Sequence, residues 1–343
     1  MTTTTRPSQS TTGSVFAILS RRIIDAGLMH RRPAYYVVRL SAVTLMFVGG
    51  WAAFFAIGSS WWQMFTAVFL AVTFAQVALV AHDLAHRQVF RTKRPSAVAG
   101  LLAGNLGIGM SYGWWMDKHT RHHNNPNHDD LDPDVAPEVL VWATESAVGR
   151  RGLKGFITRH QAALFFPLLT LLAVSLKVSS VKALRNGTVK QRGVESALLI
   201  LHAVGYLGAL VLVLPPLQAV AFLLLHQALF GVYLGMTFAP NHKGMPHPTG
   251  AEDYLRKQVL TSRNVRGNRL VDAALGGLNY QIEHHLFPGM PTPNLRKAQP
   301  IVQAYCAEIG VAYVQTGLVT SYRQALRHLH EVGAPARAEH ARR

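Results

Sequence analysis

The stretch "WWQMFTAVFLAVTFAQVALVAHDLAH", residues 61–86, decides how this chain is to be read. Residues 61–81 carry no charged side chain over roughly 20 positions, the length of helix that a bilayer core requires. His82 and His86 then follow one helical turn apart, so both rings leave the membrane on the same face of one helix. A spanning helix that ends in paired imidazoles poses two questions: what the rest of the membrane part is, and what the imidazoles hold.

Three more apolar runs, 40–58, 196–214 and 217–239, have similar length and lack Lys, Arg and Asp. The four runs form two tight hairpins, joined by "SS" at 59–60 and "PP" at 215–216. With 49% hydrophobic and 15% charged residues in 343, the expectation is an all-α integral membrane protein with four transmembrane helices in two hairpins. The charge gives the orientation. None of the 34 Lys and Arg lies in either hairpin turn, so the positive-inside rule places both termini and the middle of the chain in the cytoplasm, where a helical cap is expected.

Two further apolar stretches, 97–115 and 160–176, have basic clusters at both ends. Both ends of each are therefore expected on the cytoplasmic side, so that neither stretch crosses. The net charge of +17 is spread along membrane flanks and not gathered in one stripe, which argues against nucleic acid and for anionic lipid or an anionic acyl carrier. A single cysteine, Cys306, excludes an internal disulfide framework and any cysteine-based metal site. The expected organisation is a disordered cytoplasmic segment over 1–34, a membrane domain over 35–315, and a cytoplasmic C-terminal helix and tail over 316–343.

The spacing of His82 and His86 recurs. "HTRHH", residues 119–123, places His119, His122 and His123 on one side of a helix, and "QIEHH", residues 281–285, repeats the pattern with Gln281 leading His284 and His285. The loop after the fourth spanning run opens with "APNHKGMPHP", which puts His242 at the same membrane edge. Neutral imidazole is a ligand for zinc, copper, iron or nickel, and eight exceed what one ion uses, so two metals are expected. A closed four-ligand zinc site is structural, and a chain anchored by four helices has little need of one. Iron with room for further ligands activates dioxygen. Asp83, Asp132 and Glu283 are candidates to orient ring N–H groups from behind, with Asp129, Asp130 and Asp134 beside them. The plainer role for these acids is helix capping and turn formation in "NHDDLDPD". His202 and His226, inside spanning runs, are expected to bond a neighbouring helix, whereas His128 and His247 lie off the box spacing.

"HDLAH", "HTRHHNNPNHDDLDPD" and "QIEHHLFPGMP" resemble the three histidine boxes of the membrane fatty acid desaturases, and the Gln-led third box is most similar to the front-end and related acyl-lipid or acyl-CoA branch. The likeness covers roughly residues 35–315. It implies a non-haem di-iron centre that uses dioxygen and two electrons to place a cis double bond in an acyl chain. His82, His86, His119, His122, His123, His284 and His285 carry over as iron ligands, and His242 as the ligand after the last spanning helix. Gln281 stands where other branches have histidine, either holding a metal-bound water or bonding from the second layer. Front-end members often carry a fused cytochrome b5 domain with an HPGG motif, which these 343 residues lack, so a separate ferredoxin-like donor with a nicotinamide-driven reductase is expected. Arg87, Arg91, Lys93, Arg94, Arg256, Lys257, Arg263 and Arg266 form the expected basic docking face. Two other readings remain: a lipid, alkane or carotenoid hydroxylase or ketolase on the same scaffold, and a membrane electron carrier with bis-histidine haems.

Overall fold

In the computed structural model, which describes residues 14–342, the apolar runs become helices longer than the runs themselves. α1 (Val15–Asp25) starts at Ser14, whose hydroxyl accepts the Ala17 N–H. α2 (Pro33–Ile57) has proline in its first turn and ends at Gly58, whose φ of 62° suits the residue that closes a helix. α3 (Gln63–Ala85) follows at once, and buried Gln63 donates to the Phe54 and Gly58 carbonyls at 2.7 and 2.9 Å. These bonds satisfy the carbonyls of a turn between two apolar helices, where water is scarce.

α4 (Lys93–Leu101) runs into a π-helical turn at Leu102–Gly107, and α5 (Tyr112–Asn124) carries the second box. α6 (Gly152–Leu169) and α7 (Leu172–Arg185) meet at 85°, so the apolar run 160–176 is bent at its middle. α8 (Arg192–Val213) and α9 (Pro216–His242) form the second long hairpin. The remaining elements are α10 (Tyr254–Leu260), β1 (Asn264–Arg266), α11 (Arg269–Ala274), α12 (Gln281–Leu286), α13 (Thr292–Glu308), β2 (Gln315–Gly317), α14 (Leu318–Val332) and α15 (Ala334–Ala341).

Among the described residues four helices, α2, α3, α8 and α9, are each long and apolar enough to cross a membrane. α3 lies at the centre, packed on α2 and α9, and its apolar window is 67% buried against 17% for α2 and 11% for α8. Val211 and Leu212 of α8 are 75% and 87% exposed, a surface that water would penalise and lipid would not. His226 Nδ1 is hydrogen-bonded to the Tyr206 hydroxyl of the neighbouring α8 at 2.9 Å, and His202 bonds the Leu106 carbonyl at 2.8 Å, so both intramembrane histidines tie elements together.

Two expectations need correction. The disordered N-terminal segment does not extend to residue 34: α1 buries Leu19 and Ile23 against α13, and Arg22 forms a two-pronged ion pair with Glu308 at 2.7 and 2.8 Å. Residues 1–13 lie outside the described part. Nor is the chain purely helical, because β1 and β2 pair in parallel, Asn264 with Gln315 and Arg266 with Gly317. Three-residue strands lie below what side-chain periodicity can signal.

α5 is anchored from the membrane side by Glu195, which is 1% exposed. Its carboxylate accepts from Ser111 Oγ at 2.6 Å, Asn105 Nδ2 at 3.0 Å and the Gly113 N–H at 3.2 Å, placing a negative charge at the α5 N-terminus. Gly113 is required there, since a Cβ at that position would lie 2.3 Å from Glu195 Oε1. Glu195→Ala strands three buried donors and is expected to cost about 2–4 kcal/mol, read as a lower unfolding temperature in detergent. An unchanged transition would show that α5 is held by packing alone.

Candidate metal centre

All three boxes converge. The last turn of α3 and its cap supply His82 and His86, the last two turns of α5 supply His119, His122 and His123, the end of α9 supplies His242, and α12 supplies His284 and His285. One nitrogen each of His82, His86, His119, His123 and His284 lies within 4.8 Å of the others, and the same holds for His122, His242 and His285. The eight histidines therefore divide five and three. Helical spacing alone could not show that His122 turns away from its neighbours His119 and His123 to join another group.

The distances fit cations. His86 Nε2 and His119 Nε2 are 2.8 Å apart, and His123 Nε2 lies 3.1 Å from both His119 Nε2 and His284 Nε2. Metal–imidazole bonds of about 2.1 Å, at tetrahedral to octahedral angles, place ligand nitrogens about 3.0–3.4 Å apart. Burial, aided by the neighbouring imidazoles, holds His119, His123, His284 and His285 well below the usual imidazole range. Neutral rings present lone pairs to one another, and a shared cation relieves that conflict. His82 Nε2 and His285 Nε2 are buried with no hydrogen-bond partner, which is what a nitrogen reserved for a metal looks like.

In the three-histidine group the outer ring nitrogens are fixed. His122 Nδ1 lies 2.9 Å from Asp132 Oδ2, His242 Nδ1 3.0 Å from the Thr261 carbonyl, and His285 Nδ1 2.9 Å from Gln258 Oε1. A carbonyl only accepts, so His242 donates from Nδ1 and its Nε2 lone pair faces inward. Against the upward push of burial, the bond to His122 holds the Asp132 carboxyl below its ordinary value.

Of the four residues expected behind the imidazoles, one is there: Asp132 holds His122 from its outer nitrogen. Gln281 Nε2 instead lies 2.8 Å from the inward-facing His242 Nε2, on the metal side of that ring. Asp83 Oδ1 is 3.8 Å from His82 Nδ1, too far for a hydrogen bond, and accepts from Thr292 Oγ1 instead. Glu283 faces the other side of α12, where it takes bonds of 2.6 Å from Asn264 and 2.7 Å from Tyr313, and burial pushes it up to about 7. Gln258 and Thr261 do in part what was expected of those two acids. Nothing in their sequence context marks them, because one acts through a neutral amide and the other through a backbone carbonyl. His247 pairs with Asp129 at 2.6 Å, outside both groups.

A cavity of about 270 Å³ opens against His82, His119, His122 and His242 and runs between Phe165, Leu169, Leu172, Leu176, Leu234 and Phe238. Lys118, Asp134, Trp142 and Lys243 line it too; Lys118 pairs with Asp134, and Lys243 Nζ lies 4.2 Å from the Trp142 ring centre. Past Trp115, Leu176 and Leu234 lies a further pocket of about 30 Å³ lined by Ala78, Ala81 and Gly104. A larger groove of about 570 Å³, between α2, α3 and α8, touches no box histidine. The smaller cavity is the one that joins an apolar channel to metal-binding chemistry.

The family of fatty acid desaturases matches residues 59–317, a span that begins at the first hairpin turn and includes all eight histidines. The chain belongs to the fatty acid desaturase family. It is 30% identical to the acyl-lipid (9-3)-desaturase of Physcomitrium patens over 90% of its own length, while spanning 60% of that protein's. Fatty acid desaturase 3 of Bos taurus is 30% identical over 93% of this chain and 72% of its own length. The delta(6)-fatty-acid desaturase fat-3 of Caenorhabditis elegans is 28% identical over 95% and 76%. Desaturases of this family generally use a di-iron centre, and the donor set here, eight imidazoles in two adjoining groups, fits two irons. Together with its four long apolar helices, membership makes this an integral membrane protein of the desaturase type.

Proposed function

We propose that this protein is a membrane-bound, O2-dependent fatty acyl desaturase that places a cis double bond with a non-haem di-iron centre. The observation that carries the reading is the meeting of two buried imidazole groups with a channel walled by leucine and phenylalanine. His82, His86, His119, His123 and His284 would hold one iron, and His122, His242 and His285 the other, with Gln281 beside its remaining position. When bound, the irons supply an oxidant that uses dioxygen and two electrons to remove two hydrogens from the acyl chain. Asp132, Thr261 and Gln258 accept from the outer nitrogens of His122, His242 and His285 and so orient these three imidazoles. The apolar walls hold the methylene chain against the histidines and keep water out. Lys118 and Lys243 offer cations to the carrier of the acyl group, whether CoA or glycerolipid.

α2, α3, α8 and α9 cross the bilayer as two hairpins, with the histidine cap and both termini cytoplasmic, and residues 35–315 form the membrane catalytic domain. The absence of Lys and Arg from the turns at 59–60 and 215–216 supports this orientation. Cysteine labelling that finds residues 120 and 185 on opposite faces would break it. Electrons come from a ferredoxin-like protein and its reductase, which would dock on the exposed basic face. Arg87, Arg91, Lys93, Arg94 and Arg266 are exposed and suit an acidic donor, but Arg263 is buried and leaves that face. Turnover by the purified chain with no added donor would remove this part of the proposal.

The deciding experiment is expression in a host followed by gas chromatography and mass spectrometry of its fatty acids. A new cis-unsaturated acid that disappears in the His119→Ala variant is the expected result. A hydroxylated or keto lipid in its place would assign the scaffold to the alternative chemistry, and a haem spectrum in the purified protein would assign it to electron transfer. Asp132→Asn, which weakens the hold on His122 but leaves the ligands, is expected to reduce turnover roughly 10- to 100-fold. Wild-type turnover in this variant would limit Asp132 to its turn.

A further inference from the structure

Among the described residues Arg263 is the largest side chain fully enclosed, 1% exposed, and it forms no ion pair with a carboxylate. Its guanidinium donates only to uncharged oxygens. Nε bonds the Pro240 carbonyl at 2.5 Å, Nη2 bonds the Lys243 carbonyl and reaches Ser321 O at 3.3 Å, and Nη1 bonds Gln324 Oε1 at 2.7 Å. Burial pushes Arg263 down to about 10, which still leaves it cationic at neutral pH. A buried cation without an ion partner is costly, so its surroundings must repay it.

What surrounds it is the end of α9. The last carbonyls of a helix have no partner within the helix and carry its negative dipole end, which a guanidinium satisfies twice over. Pro240 adds a second defect, because it has no N–H for the Met236 carbonyl; Tyr322 of α14 donates to that carbonyl at 2.5 Å, and Ser321 Oγ donates to the Pro240 carbonyl. His242 lies between the two carbonyls that Arg263 holds. Its own carbonyl accepts from Asn127 Nδ2 at 3.2 Å, and the Arg263 N–H donates to the Asn241 carbonyl at 2.9 Å.

We infer that Arg263 is a positioning residue for the three-histidine group, locking the α9 terminus to α14 so that His242 faces His122 and His285. The inference rests on the metal reading above for its consequence, while its geometry stands without a metal. It makes α14, which supplies none of the eight histidines, part of what sets the second metal position.

The test compares wild type, Arg263→Met, Arg263→Lys and Gln324→Leu as purified full-length protein, by iron content, by chelator titration and by amide hydrogen exchange. In Arg263→Met one iron is expected to leave at roughly 10- to 100-fold lower chelator, with the other unmoved. Arg263→Lys, which keeps a cation but not the fork, falls between. Exchange at Asn241, His242 and Lys243 speeds up roughly tenfold or more, because charge-assisted bonds at the helix end are lost. If Arg263→Met does not fold, Gln324→Leu, which removes one acceptor at the far side of the guanidinium, is expected to show the same one-iron shift in smaller measure. Equal weakening of both irons, or no change in either iron or in exchange, overturns the proposal. A wild-type protein that binds no iron defeats the metal reading, and the exchange measurement then decides the positioning alone.

Discussion

Replacing His119 with Ala is expected to abolish turnover and lower the iron content from two to about one per chain. His119 Nε2 lies 2.8 Å from His86 Nε2 and 3.1 Å from His123 Nε2, within the five-histidine group. A catalytic metal supplies several kcal/mol of barrier lowering, so its loss is a fall on the order of 10³-fold or more. The Trp115 ring, stacked on His119 at 4.4 Å, loses its neighbour as well, but a stacked contact contributes only about 0.5–1.5 kcal/mol and cannot account for that loss. Elemental analysis together with single-turnover product formation reads both effects. A purified protein that is active with stoichiometric zinc and no iron would defeat the di-iron assignment; retention of two irons in the variant would remove His119 from the ligand set.

The second large effect is expected at the channel. Leu176 lines both the 270 Å³ cavity and the small pocket behind it, so Leu176→Trp places a ring across the path from the histidines to Ala78 and Ala81. A long acyl chain displaced by even about 1 Å from its reactive position loses on the order of 10²-fold in rate. Iron content is expected to stay at two, because Leu176 is none of the eight histidines nor a residue hydrogen-bonded to them, and short-chain substrates are affected least. Loss of iron in this variant would mean that the channel wall also supports the centre, and full activity on long chains would place the substrate elsewhere, the 570 Å³ groove between α2 and α8 being the next candidate.

The sequence by itself determined a good deal. Four uncharged runs of bilayer length, broken by "SS" and "PP", marked the four long helices, because the bilayer length requirement is coarse and unforgiving. The boxes marked seven of the eight histidines that the fold brings together, because spacing of three and four residues fixes a face once a helix is granted, and the place of His242 just after the fourth apolar run marked the eighth. The 85° bend within 160–176 shows only in the structure.

Tertiary structure alone decided how the histidines are shared and what holds them. His122 parts from His119 and His123 because Asp132, brought back by the turn at Asn127, takes its outer nitrogen; a helical wheel places all three together and cannot see that partner. Asp83 and Glu283, adjacent to ligands in sequence, bond away from the rings, while Gln258 and Thr261 arrive from an unmarked helix. Arg263 shows the limit most sharply. In sequence it is one more basic residue on a basic face; in space it is enclosed, bound to the carbonyls of Pro240, Lys243 and Ser321, because the end of α9 has carbonyls that no residue within the helix can satisfy. Periodicity reports which face of an element is buried, but the partner that meets a buried polar group comes from segments far along the chain, and only their packing names it.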